Sequence, residues 1–353
     1  MTEKRGVKSP FAEYIAFLPS ELLPTFWTDE ERSLLQGTTL GSAISAKLSA
    51  LYREYESVRT ATGSIPWCAA NWWDEVDGLV TFDDWLQVDA MYRSRALEFP
   101  GIGDCMAPCI DMANHASGDA TTAIYEVNQD HDAILMLREG HSVQEWEEIN
   151  ITYGDAKGAC EMIFSYGFLE DDMDSARELF LDLPMPEDDP LRKAKAAVAK
   201  TAPGFKIYET ANGIRWTGDY IWLICVNEED GLEFAVEQTT EGRQELKAFW
   251  KDTELPALED FQALLRKDEL WEVYHLRAVS VLQERIATQL QVLYGSDDEV
   301  EALLHENETG IRERPRQLAL RLRILESELL EKAYSYFEDQ VRFARGDVEG
   351  QIS

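Results

Sequence analysis

Residues 109–169 constrain this chain more than any other stretch. They read CIDMANHASGD from Cys109, cross an alternating interval, and then read EEINITYGDAKGACEMIFSYGFL from Glu147 to Leu169. Within the interval, Thr122–Val127 and Ala133–Leu137 flank a polar turn at Asn128–Asp132, the pattern of a β-hairpin. Ile149, Ile151 and Tyr153 fall on one face of an expected strand over Glu148–Tyr153. Asp155 is placed to cap a helix over 156–165, and Gly167 stands where that helix would close. Short strands and a single short helix in so few residues predict small β-sheets over 100–170 rather than a doubly wound parallel sheet.

The flanking regions follow a different period. Ser9-Pro10 can open a helix carrying Phe11, Tyr14, Ile15 and Leu18, and Pro19 stops it. Thr28 to Glu31 reads as a capping box. Leu40, Ile44, Leu48, Leu51 and Tyr55 make 40–56 an amphipathic helix, and Thr81 caps another that carries Trp85, Val88 and Tyr92 as far as Arg95. Beyond the acidic run that starts at Glu170, Arg177–Leu183 reads as a strand. Asn212-Gly213 joins a second hairpin between Phe205–Tyr208 and Ile214–Trp216. From about residue 255 the chain is helical, and Leu318, Leu322, Leu325, Leu329, Ala333 and Phe337 form a long stripe.

Three blocks occurring in order carry a resemblance: Asp111-x-x-Asn114-His115, then Glu147-Glu148-x-x-Ile151-x-Tyr153, then Tyr166-Gly167-Phe168. Together they resemble the C-terminal half of a SET domain, the fold of S-adenosylmethionine-dependent protein lysine methyltransferases. The branch is that of the Rubisco large-subunit methyltransferase. The segment beginning Ser9-Pro10-Phe11 and ending at Tyr92-Arg-Ser-Arg95-Ala96 resembles the helical insert of that branch.

The resemblance implies an α+β chain with a β-rich SET core, in which the 109–116 segment is threaded through a later loop as a pseudoknot. Residues 1–172 would form the SET domain, with its insert over about 9–96 and its C-terminal part over about 97–172. Residues 173–353 would form a mostly helical, substrate-binding-like domain. It also implies roles. Tyr153 and Tyr166 would be catalytic, the first polarising the reacting centre and the second walling the lysine channel. Asn114, His115, Arg95 and Phe168 would bind S-adenosylmethionine, with Arg95 meeting its carboxylate.

The sequence departs from the family pattern at several points. The chain begins almost at the insert, so the first SET strands, with their Gly-x-Gly element, are expected to be missing. Gly6 has no partner glycine, and Gly101-Ile-Gly103 is expected only to bend a linker. Trp146 stands where the family has a glycine, and Gly158 where it has an asparagine.

Charge bears on partners. With 67 acidic against 33 basic residues the formal net charge is −34. Such a surface repels nucleic-acid phosphates and attracts basic protein segments. No apolar run is long enough to span a bilayer. Cys68, Cys105, Cys109, Cys160 and Cys225 have no framework spacing, which points to a reducing compartment, cytoplasm or nucleus, and to no metal site. The triplets at Asn150 and Asn307 match a glycosylation acceptor but accompany no secretory signal.

The chemistry suits such residues. A free lysine amine has a pKa of about 10.4, so roughly one in a few thousand is neutral at pH 7. Hydroxyls and carbonyls can hold the neutral amine in line without trapping it as an ion pair. The expected activity is therefore protein lysine N-methylation, or the remnant of it. Histidine methylation is the variant, and a non-catalytic SET-derived interaction module is the alternative.

Overall fold

The computed structural model describes all residues except 1–8, 20–21, 75–77, 200–201, 239–243, 307–309 and 353. Gly6 and the Asn307 triplet lie outside the described residues. The chain divides into two compact units: residues 1–32 with 40–171, and residues 33–39 with 172–353. No helix among the described residues is long and apolar enough to cross a membrane.

In the first unit the local signals act as read. Thr28 and Glu31 exchange side-chain to backbone hydrogen bonds of 2.9 and 3.2 Å ahead of helix Asp29–Ser33. Thr81 and Asp84 form a complete capping box on helix Phe82–Arg95. Helix Thr39–Thr62 buries Leu40, Ile44, Leu51 and Tyr55. Helix Ala12–Phe17 is shorter than expected, and Phe11, Ile15 and Phe17 stay exposed.

The β part is a set of two-stranded pieces. Leu97–Phe99 pairs antiparallel with Gly103–Cys105, so Gly101-Ile-Gly103 is a hairpin turn rather than a linker. Both its glycines have positive φ, at 78° and 89°, which glycine adopts without steric cost. Ala123–Val127 pairs with Ala133–Leu137 as the alternation predicts. Asn114–His115 runs parallel to Asn150–Ile151, a short strand that stops before Tyr153. Leu97, Phe99, Ala107, Ala123 and Ile151 form the core under these strands, with Ile110, Ala113, Tyr125 and Tyr153 packed against it. Asp155 does not cap the next helix. It accepts from Thr152 Oγ1 at 2.9 Å and Gly118 N at 3.2 Å, and helix Ala159–Tyr166 starts after Gly158. Those bonds, the Gly118 amide first, hold the Asp155 carboxyl below its ordinary pKa. Gly167 closes the helix in the left-handed conformation, φ 73°.

The second unit joins helices Trp271–Gly295 and Glu313–Ile352. Tyr274, Ala278, Leu282 and Ile286 on the first and Leu322, Leu329, Ala333 and Phe337 on the second are all buried. Two three-stranded antiparallel sheets accompany them. Glu178–Asp182, Gly204–Thr210 and Gly213–Thr217 form one; Leu232–Gln238, Gln244–Trp250 and Thr253–Leu255 form the other.

Residues 33–39 belong to this unit although helices of the first surround them in sequence. Gln289 Nε2 donates to the Gly37 carbonyl at 2.8 Å, and Ser296 Oγ to that of Gln36 at 3.0 Å. Gly37 has φ 79°, and a Cβ there would meet the Leu293 Cα and Val292 carbonyl oxygen at 2.8 Å, so only glycine fits.

Glu326 is fully buried and accepts from the Thr39 amide at 2.9 Å and hydroxyl at 2.6 Å. Burial outweighs those bonds and pushes its carboxyl up to about 7. The folded chain therefore keeps a proton that the unfolded chain, titrating near 4.5, releases. Stability from this group is highest below the lower value and falls as pH rises through the upper one. Glu326→Gln is expected to flatten the drop in melting temperature between about pH 5 and 7.5 relative to the parent chain. Superimposable pH profiles for the two chains would contradict this.

Candidate functional site

His115 organises the first unit's aromatic cluster. Its Nδ1 accepts from the Tyr153 backbone N–H at 3.0 Å, and its Nε2 lies 2.7 Å from Glu170 Oε1. The accepting Nδ1 assigns the proton to Nε2, which donates to the carboxylate. Both side chains are nearly sealed, at 3% and 7% exposed, so the pair fixes the ring in one orientation.

Tyr153 stacks on that ring, with centroids 5.1 Å apart and planes at 29°. Its hydroxyl donates to the Ala113 carbonyl at 2.8 Å. The Tyr166 ring stands 4.7 Å from that of Tyr153, and Phe168 lies 6.0 to 6.5 Å from all three rings. Helix Ala159–Tyr166 delivers Tyr166 at its last residue, and the left-handed Gly167 turns Phe168 back onto the cluster. The structure thus brings together four of the six residues singled out from the sequence: His115, Tyr153, Tyr166 and Phe168.

Two others sit apart from the rings. Asn114 is exposed and donates its side-chain amide to Glu148. Arg95 ends helix Phe82–Arg95 and donates through Nη1 to the Asp111 carbonyl at 3.0 Å. Arg95 and Tyr153 therefore hold the same 111–115 segment through the carbonyls of Asp111 and Ala113.

Tyr14 donates to Asp111 Oδ2. Burial, then that bond, raises the tyrosine's pKa, and burial also raises that of Asp111. Burial raises the pKa of Tyr166 as well, keeping its phenol neutral. Lys157 places its ammonium 5.7 Å from the Tyr166 ring centroid and pairs with Glu161. Burial opposes its charge, but Glu161 and Tyr166 more than restore it, and its pKa lies above the ordinary lysine value.

Solved structures show the same architecture. The SET domain of LSMT bound to MeLysine and AdoHcy superposes with a TM-score of 0.64, at 20% identity, covering 97% of this chain and 74% of that one. Rubisco LSMT bound to AdoMet gives 0.63 at 19% identity over the same shares. The chain has a SET-domain fold.

Sequence relatives agree in kind. SET domain-containing protein 8 of Schizosaccharomyces pombe is 27% identical over 279 residues, 78% of this chain and 61% of that protein. The actin-histidine N-methyltransferase of Danio rerio is 22% identical over 352 residues, 95% of this chain and 54% of that one. The chloroplastic [fructose-bisphosphate aldolase]-lysine N-methyltransferase of Arabidopsis thaliana is 25% identical over 206 residues, 56% of this chain and 41% of that protein. The chain thus spans between about two-fifths and three-fifths of the length of these relatives. No family model matches it.

The SET fold places one departure in view. Trp146, standing where the family has glycine, keeps a left-handed backbone at φ 72° and is 94% exposed. A tryptophan holds this left-handed turn at a steric cost that glycine would not carry.

Two features of this SET fold suit a ligand with an amino-acid end. Asp111 Oδ1 is buried and has no hydrogen-bond partner, an acceptor fit for an ammonium. The Arg95 guanidinium lies on the same residue's carbonyl, a donor fit for a carboxylate. Asp111 and Tyr14 carry this second cluster, and neither stood among the expected site residues. Glu170 is the other residue missed. As the first member of an acidic run it reads as a boundary, and only burial reveals it as the partner of His115.

Proposed function

We propose that the chain is an S-adenosylmethionine-dependent protein N-methyltransferase acting on a lysine amine. The observation that carries this reading is the Tyr153–Tyr166 pair, held at 4.7 Å with the Tyr153 hydroxyl tied to Ala113 and its backbone tied to His115. S-adenosylmethionine would supply a methyl group on a sulfonium. Arg95 and Asp111 would hold its amino-acid end, and Asn114, the His115 segment and Phe168 would line its other side.

The protein's own groups then act on the acceptor. The Tyr153 proton is committed to Ala113, so its oxygen offers lone pairs to an amine N–H and to the partly positive carbon in flight. Tyr166, neutral by burial, walls the approach. Lys157, paired with Glu161, stands beside Tyr166 at the wall, and the acceptor amine must be neutral to attack. The acidic surface would draw a basic protein segment toward the site, and the scattered thiols suit a reducing compartment, cytoplasm or nucleus.

Histidine is the second acceptor considered, because relatives at 22–24% identity bear the name actin-histidine N-methyltransferase. An imidazole needs no proton removed by the site near neutral pH.

Isothermal titration of the chain with S-adenosylmethionine tests the reading. Binding is expected, with a loss of about tenfold or more in Arg95→Ala. A chain that takes up no cofactor would leave the non-catalytic interaction module in its place.

A further inference from the structure

The second unit contains an aromatic cavity that methyl transfer does not use. Its volume is about 290 Å³, and Trp216, Asp219, Trp222, Arg266, Trp271 and His275 line it. The three indoles form one continuous wall. Trp216 and Trp222 have centroids 6.0 Å apart, and Trp222 and Trp271 5.4 Å apart. Trp222 is buried at 1% exposure and forms the base, while Trp216 and Trp271 are half-buried. His275 stacks on Trp271 at 5.4 Å and 22°, fixing that ring from one side.

Two ionisable groups of opposite sign, Asp219 and Arg266, frame the wall. The Asp219 carboxylate receives no hydrogen bond from its helix, and burial, then the neighbouring Glu259, raises its pKa, so a cation seated beside it would relieve that penalty. The Arg266 guanidinium lies 5.5 Å from the Trp271 centroid, and its only described side-chain contact is that π face. A cation of the chain itself has been drawn onto the indole wall.

We propose that this cavity binds a methylated ammonium group, seated on the indole faces with Asp219 as its counter-charge. Indole faces are negative at the centre and attract cations. A quaternary nitrogen carries no N–H and asks for no acceptors, so the indole faces and Asp219 suffice to seat it, while Thr217 and Gln262 line the rest of the cavity. The volume is at the small end of ligand sites, enough for a head group and its stem and too small for a dinucleotide. The site owes nothing to the SET chemistry, because every group named lies in the second unit.

The head group could be carried by trimethyllysine in a protein or by a small amine such as choline. Titration of the full chain with four probes separates these sources. The probes are choline, a peptide bearing Nε-trimethyllysine, the same peptide with unmodified lysine, and 3,3-dimethylbutanol, the uncharged isostere of choline. At least one methylated cation is expected to bind about tenfold more tightly than its uncharged or unmethylated counterpart. The preferred probe identifies the source.

Asp219→Asn is expected to weaken that binding about tenfold. Arg266→Ala, which vacates the Trp271 face, is expected to tighten it about threefold. Both variants change partly exposed positions, and their melting curves serve as the folding control. Equal binding of 3,3-dimethylbutanol would overturn the proposal in favour of a merely apolar pocket. So would failure of both cations to bind, or weaker binding in Arg266→Ala. Uptake of acetate or phosphate that disappears in Arg266→Ala would show an anion site instead.

Discussion

Tyr153→Phe is expected to lower kcat for methyl transfer by about a hundredfold or more, with peptide and cofactor affinity nearly unchanged. The asymmetry follows from what the hydroxyl does. Its proton goes to Ala113 at 2.8 Å, which fixes the hydroxyl's orientation and leaves acceptance as the role of its oxygen. Positive charge on the transferred carbon is largest in the transition state, and a contact made there appears in kcat. Phe keeps the ring stacked on His115 and beside Tyr166, so the cluster persists. The Ala113 carbonyl loses a donor, at a stability cost of about 1 kcal/mol. Tyr166→Phe is expected to act differently. It reshapes the channel, changing how many methyl groups are added more than the rate of the first. Single-turnover assays read by mass separate the two variants and identify lysine or histidine as the acceptor. An unchanged kcat in Tyr153→Phe would remove Tyr153 from the catalytic role.

The cluster was legible because its three blocks, each short and local, together resemble those of a SET domain. Each block is a few residues of ordinary strand, turn or helix-end grammar: Tyr153 after an alternating strand, and Tyr166 before a C-terminal glycine. The hairpin over 123–137 and the capping boxes at Thr28 and Thr81 needed only neighbouring residues.

What escaped depends on partners distant in sequence. Glu170 sits at the head of an acidic run, and solvation is the ordinary reading of such a run. Its role comes from a ring 55 positions earlier. Tyr14 and Asp111 meet across 97 positions. Asp155 has the composition of a helix cap, yet Thr152 and Gly118 claim it first, so the helix starts later. The segment at 33–39 looks like a turn within the helical insert, but it packs with residues near 293 and 326. The sheet over 232–255 is nearly all exposed along its first strand, so its alternation carries no hydrophobic signal to read.

The same long-range pairing sets the second large expectation, which concerns stability. His115→Ala is expected to cost the first unit about 3 kcal/mol, a fall of roughly 6–12 °C in its melting transition. The substitution removes a ring that spans two contacts at once. The Tyr153 amide loses its acceptor at 3.0 Å, and the nearly sealed Glu170 carboxylate loses its donor at 2.7 Å. A buried carboxylate that loses its imidazole donor costs more than the pair contributes when intact, because part of its desolvation is no longer offset. The double variant His115→Ala/Glu170→Leu should therefore be more stable than His115→Ala alone, despite carrying one more substitution. Glu170→Gln keeps an acceptor for Nε2 and should cost about 1 kcal/mol, the difference between a charge-assisted and a neutral hydrogen bond. Thermal unfolding of the parent, these three variants and the Glu170→Leu single variant, with hydrogen exchange at Tyr153 to assign the loss to this unit, completes the cycle. Strictly additive losses would show that His115 and Glu170 touch without coupling. Tyr153 would then have to be oriented by its bond to Ala113 and by ring stacking alone.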